Sequence, residues 1–215
     1  EWPIYGRFGY GAATEHQSWT VDAAAASLRR PPPGGRVRFV DRDTARAHVT
    51  AVHERQRQQR PGEFRRPDLA WDLDFGLVRM PSWPEPQPGL YVLAEDPAGT
   101  VTGVARYRHE AAWRHRQPRG EVTVDLLVAA GPQAETLLWH HLLSLDLVYR
   151  IRVANRPVDD LLPWLLTDAR HAEASDRADF VWVRPLDVPA MLSARSYLCP
   201  GELVLDVRDP GGPAA

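Results

Sequence analysis

The sequence predicts an α/β (α+β) fold, a mixed sheet with flanking helices, and three observations carry that prediction. Leu90 to Glu95 and Val101 to His109 read as two strands, with Asp96-Pro97-Ala98-Gly99 between them as a hairpin turn. Glu121 to Ala130 is a further strand, apolar at Val122, Val124, Leu126 and Val128. From Gln133 to Leu147 the pattern becomes helical, with Leu138, Leu142 and Leu145 on one face, and Tyr149 to Val153 returns to a strand.

The remaining elements fit around that core. Residues 1–11 read as a helix end and a tight turn punctuated by Gly6, Gly9 and Gly11, and a strand follows from about Ala13 to Val21. Arg29-Arg30-Pro31-Pro32-Pro33-Gly34-Gly35 is the clearest linker, because prolines stiffen a chain and glycines release it. Val37 to Val40 is a short strand, and Asp43 or Thr44 is placed to cap a mostly solvated helix running to about Arg60. Residues 81–89 carry four prolines and read as a loop. Val158 to Leu166 reads as a short helix with Asp159-Asp160 in its first turn, where carboxylates suit the helix dipole. Asp179 to Val183 reads as a strand, Val188 to Tyr197 as a helix, and Glu202 to Arg208 as an alternating strand that stops against Asp209-Pro210-Gly211-Gly212-Pro213. Both ends read as cut: no initiator Met is present, and a lone edge strand is a poor place for a domain to finish.

Composition excludes several classes. A formal net charge of -2 gives no bulk attraction for nucleic acid or anionic lipid. No apolar run approaches the roughly 20 residues that a membrane span needs, and the start has neither the basic region nor the apolar core of a signal peptide. The single cysteine, Cys199, forbids an internal disulfide and makes a reducing, cytoplasmic setting the expectation. Every basic residue is Arg, a feature that points to a GC-rich genome rather than to chemistry.

The informative string is Ile4-Tyr5-Gly6-Arg7-Phe8-Gly9-Tyr10-Gly11. A tyrosine followed four residues later by Gly and five later by an aromatic resembles the Tyr-x-x-x-Gly-Phe element of GNAT acetyltransferases. In that fold a helix ends at this Gly and feeds a strand. The intact Tyr-Gly-Arg-Phe-Gly-Tyr-Gly run is similar to that of the Eis (enhanced intracellular survival) family, and the later junction Val183-Arg184-Pro185-Leu186-Asp187-Val188-Pro189 falls where that family would place one. The resemblance implies a tandem-GNAT protein. Residues 1–30 would close its catalytic GNAT domain, 31–36 would link, 37–187 would form a central GNAT-like domain without cofactor, and 188–215 would begin a sterol-carrier-like domain. On the residues themselves, 37–187 is expected to form one unit with 1–30 only partly packed on it.

What the resemblance implies chemically is acetyl transfer from acetyl-CoA to a primary amine on an aminoglycoside, a lysine or a polyamine, without a metal. It also implies a homo-oligomer and an acidic acceptor pocket. Attack on a thioester expels a thiolate; free thiols titrate near ~8.5 and phenols near ~10, so a phenol arrives protonated. Tyr5 is the candidate general acid; its alternative is a half-buried aromatic beside a glycine turn. Arg7 is a candidate contact for cofactor phosphate or else an exposed cap. Trp182 and Asp187 are possible pocket residues, with core packing and helix capping as their alternatives.

GNAT enzymes cradle the pyrophosphate with a Gly-rich loop between a strand and a helix, and that loop is expected upstream of Tyr5, outside this chain. The comparable loop here, Ala129-Ala130-Gly131-Pro132-Gln133-Ala134, is a poor anion cradle, since Pro132 has no amide and Glu135 brings negative charge. The chain alone is therefore expected to be inactive. A non-catalytic α/β interaction module remains the competing reading. His140-His141, His109 and His115 lack metal-ligand spacing, Ser144 lies in no nucleophile elbow, and Cys199 reads as a buried filler rather than a nucleophile.

Overall fold

A computed structural model of the chain describes residues 1–83, 85 and 88–208. The elements in order are α1 (Trp2–Tyr5), β1 (Gly11–Asp22), β2 (Arg36–Val40), α2 (Arg42–Arg57), α3 (Asp68–Asp74), β3 (Leu90–Glu95), β4 (Val101–Glu110), β5 (Trp113–Arg114), β6 (Gln117–Pro118), β7 (Gly120–Ala129), α4 (Pro132–Leu143), β8 (Val148–Pro157), α5 (Leu162–Leu165), β9 (Ala172–Val183) and α6 (Val188–Ser193). The chain divides into two units, Gln17–Asp176 and a smaller one made of Glu1–His16 with Arg177–Ala215. The Pro-Gly stretch therefore lies inside the larger unit, which begins at Gln17.

The sheet runs β2-β3-β4-β7-β8-β1-β9. The α/β expectation holds, and the local chemistry explains why. Asp96 Oδ1 accepts from the amides of Ala98 and Thr100, both at 2.9 Å, and Gly99 sits at φ 84, which closes the β3–β4 hairpin. Asp41, rather than Asp43 or Thr44, caps α2 by accepting from the Thr44 amide at 2.7 Å. That helix buries Ala45, Val49, Val52 and His53, so it is less solvated than its Arg and Gln content suggests.

Both faces of the larger unit's sheet are covered. Val92, Ala94, Ala105, Tyr107, Val122 and Val124 pack with Leu137, Leu138 and Leu142 of α4. Leu93, Val104, Leu126 and Val128 pack with α2 residues and with Trp71 and Phe75, at the α3 end of the core. Strand β7 thus serves both faces with residues the alternation places on one. A bulge explains it: Tyr107 pairs with Val124 and Arg106 with Leu126, so Asp125 is an extra residue and the side-chain parity flips beyond it.

Three further differences appear. Helix α4 stops at Leu143, four residues early, where the Ser144 hydroxyl bonds back to His140 O at 2.6 Å and Leu147 takes φ 63. Strand β9 starts at Ala172 and β8 runs to Pro157, both longer than expected. Residues 202–208 form no strand: Leu203 and Val204 are 81% and 97% exposed, and alternation without a partner strand gives no ladder. Of the proline loop 81–89, residues 84, 86 and 87 lie outside the described residues, as does the turn at 209–213.

Candidate active site

In the smaller unit the Tyr5 turn has the form the sequence implies. Pro3 stands at the start of α1 and the helix runs to Tyr5. A 3-10 turn over Gly6–Phe8 follows, and Gly9 closes it at φ 76 with its amide on Gly6 O. Only glycine suits this site: the φ is left-handed, and a Cβ would meet Arg184 Nε at 3.1 Å. Strand β1 then begins at Gly11.

Tyr5 is 38% exposed. Its ring lies 5.1 Å from that of Trp182 at 31°, and 6.2 Å from that of Tyr10. Trp2 also meets Trp182, edge-on at 4.9 Å. Among the described residues the Trp182 indole Nε1 is buried without a hydrogen-bond partner. The structure thus brings Tyr5 and Trp182 together. Asp187 is elsewhere engaged, capping α6 with Oδ1 on the Ala190 amide at 2.8 Å. Arg7 is exposed and lies over the Phe8 ring at 4.9 Å.

In the larger unit, β7 and β8 are a parallel pair whose ladder runs from Gly120↔Val148 to Val124↔Val153 and stops there, although both strands continue. Helix α4 follows β7 through Gly131, which has φ 112 and gives no side-chain cap. Glu135 does not project its charge into the loop, as its sequence position suggests. The first turn of α4 rotates it inward, where it is 3% exposed and paired with Arg156. Arg156 also binds Asp160 through Nε at 2.6 Å and Nη2 at 3.0 Å, and reaches Leu127 O on β7 at 3.4 Å. Asp160 further accepts from Trp19 Nε1 at 3.0 Å and from the Leu162 amide at 3.2 Å.

In the sequence only Asp159-Asp160 marks this network; α5 begins at Leu162, so Asp160 lies before the helix rather than in its first turn, and serves Arg156. Burial raises the Glu135 carboxyl above its usual range, against the pull of Arg156. Burial also acts to raise Asp160, but the hydrogen bonds and charge of Arg156 outweigh it, and the Asp160 carboxyl ends lowered. His141 Nε2 meets Tyr107 Oη at 3.0 Å. Among the described residues no cluster of three metal-ligating side chains exists, and no helix is long and apolar enough to cross a membrane. Cys199 is exposed rather than buried.

The family model of the acetyltransferase (GNAT) domain matches residues 62–185. An uncharacterized N-acetyltransferase of Streptomyces avermitilis is 40% identical over 217 residues, covering 99% of this chain and 52% of the relative. N-acetyltransferase Eis of Mycobacterium tuberculosis is 36% identical over 222 residues, covering 97% of this chain and 50% of Eis. The crystal structure of Eis1 from Mycobacterium abscessus superposes with a TM-score of 0.75 at 32% identity, over 92% of this chain and 48% of Eis1. The chain spans about half the length of the curated relatives it matches. With that match, those identities and the mixed sheet, the chain belongs to the GNAT acetyltransferase family and has Eis-like relatives.

Proposed function

We propose that the chain is part of an N-acetyltransferase that moves the acetyl group of acetyl-CoA to a primary amine, on an aminoglycoside, a lysine or a polyamine. Tyr5 is the general acid in this reading. The amine nitrogen attacks the acetyl carbonyl carbon and the carbon–sulfur bond breaks. The departing thiolate takes the phenolic proton of Tyr5, and the proton lost from the acetylated nitrogen passes to solvent, from which Tyr5 is reprotonated. The observation that supports this best is the Tyr5 turn itself: a partly exposed phenol, fixed by the Gly9 turn and the Trp182 ring, in a chain so similar to Eis. Arg7, exposed two residues on, is offered to a cofactor phosphate. A homo-oligomer in a reducing cytoplasm belongs to the same reading.

The larger unit's own strand–helix junction does not fit acetyl-CoA. Pro132 removes an amide from the first turn of α4, and Arg156, neutralised by two carboxylates, stands between the parting strands. No step is assigned there. This supports the part of the proposed division in which 37–187 carry no cofactor; in the rest of it 1–30 close the catalytic domain, 31–36 link and 188–215 begin a third domain, whereas the compact units of the chain divide at 16/17 and 176/177. It also favours a non-catalytic role for the larger unit itself. The chain, titrated calorimetrically with acetyl-CoA, is expected to show no saturable binding; a micromolar dissociation constant would overturn that expectation.

The activity is tested on the complete protein with acetyl-CoA and, in turn, an aminoglycoside, lysine and spermidine. Thiol release with an acceptor one acetyl group heavier is the expected result. Absence of acetylated product from all three would sink the proposal.

A further inference from the structure

The larger unit carries a groove of about 450 Å³, within the range that small-molecule sites occupy. Leu28, Leu161, Leu165 and Trp164 supply its apolar lining, and Arg29 and Arg30 its charge. Among the described residues no carboxylate lines it. We propose that this groove binds a small anion carrying a flat apolar ring, a ligand opposite in charge to the amine acceptor and independent of the acetyl-transfer reading.

The walls are built before any ligand arrives. Segment 27–29 is tied to 165–167 by Arg29 N to Leu165 O at 2.8 Å, Thr167 N to Ser27 O at 2.9 Å, and the Ser27 and Thr167 hydroxyls at 3.0 Å. Beyond Arg30 the run Pro31-Pro32-Pro33 stiffens the rim. The α5 wall is held from beneath: Leu162 is fully buried and its amide is held by Asp160, which Arg156 fixes in turn. Helix α5 is thereby anchored while its own Trp164 stands 75% exposed. A preformed groove spares a ligand the cost of ordering loops.

The side chains select the ligand's chemistry. Arg29 spends only its Nε, on Leu166 O at 3.3 Å. Among the described residues Arg30 makes no side-chain hydrogen bond or ion pair. Guanidinium forks match carboxylate or phosphate oxygens, and an exposed indole face stacks on a flat ring. An ammonium would meet two cations here with no carboxylate to hold it. A neutral ring would gain the stacking and lose the charge pairing.

The probe is 1-naphthaleneacetate, compared with the neutral 1-naphthaleneacetamide, by calorimetric titration of the whole chain. Saturable one-to-one binding of the acid is expected, weakened about tenfold or more in the amide and in R30E. W164A is expected to weaken both compounds about tenfold. Both replaced side chains are exposed, so melting temperatures should stay at the wild-type value. Equal binding of acid and amide, undiminished acid binding in either variant, or no saturation at all overturns the proposal. The comparison of acid with amide on the unaltered chain keeps it falsifiable even if a variant fails to fold.

Discussion

Replacing Tyr5 by Phe in the complete protein is expected to lower turnover about 10²-fold or more, with affinity for acetyl-CoA within a few-fold of wild type. The substitution removes one hydroxyl and leaves the ring that lies 5.1 Å from Trp182 and 6.2 Å from Tyr10. Its packing, and therefore the turn closed by Gly9, should persist. The loss of the proton donor is felt only when the thiolate departs, so it falls on turnover rather than on binding. If Tyr5 is only an aromatic beside a glycine turn, Phe is nearly isosteric and neither quantity moves. The measurement is thiol release under conditions limited by chemistry, with a thermal melt alongside. Wild-type turnover in Tyr5→Phe would remove the one catalytic role assigned to this chain.

Arg156→Met is expected to destabilise the larger unit by about 3–5 kcal/mol, because it leaves buried Asp160 without its cation and buried Glu135 with only the more distant Arg60 at 3.6 Å. For a unit of this size that is roughly 6–20 °C in melting temperature. The pH dependence has a definite sign. In the wild type, Asp160 is held low, so its contribution is present above the unfolded carboxyl pKa of about 4 and fades as pH falls through its lower folded value. In the variant both carboxyls are raised, so the penalty is greatest at neutral pH and shrinks toward pH ~4. The gap between wild type and variant should therefore narrow on acidification. Replacing Glu135 by Gln and Asp160 by Asn in the same chain should recover much of the loss, since no buried charge then remains. Melts at several pH values decide it; a gap independent of pH would show that Arg156 acts through packing alone.

The parts of the fold legible in the sequence are those governed by local chemistry. Asp96 to Gly99 announces its hairpin because an Asx turn and a positive φ need those residue types. Tyr5 to Gly9 announces its turn for the same reason. Features set by distant partners stayed hidden. Helix α3 has only seven residues, and what stabilises it is Trp71 and Phe75 in a core shared with α2. The β5–β6 hairpin turns at His115 and Arg116, both at positive φ, where Asn or Gly would have been the signal. Arg156 reads as one arginine among many until Glu135, 21 residues away, and Asp160 meet on it. The Glu135 charge was misplaced for a related reason: sequence position gives proximity to a loop but not the helical phase that turns a side chain inward. Trp182 beside Tyr5 was within reach as a candidate, but nothing local separates it from core tryptophans.

The order of the sheet also bears on how the chain is made. Strand β1 lies between β8 and β9, and its neighbours come from the far end of the chain. Gln17 bonds to Pro157 across 140 residues and Trp19 to Asp160 across 141. At typical synthesis rates of about 5–20 residues per second, β1 leaves the ribosome roughly 7–28 s before its partners exist. Meanwhile β2, α2, β3, β4 and β7 can assemble among themselves, since β3–β4 and β4–β7 are short antiparallel returns and β2–β3 closes over the segment that holds α2 and α3. During that interval Trp19 and Val21, which end up buried, remain open to water. The nascent chain therefore carries Trp19 and Val21 on an otherwise polar strand whose partners are made last.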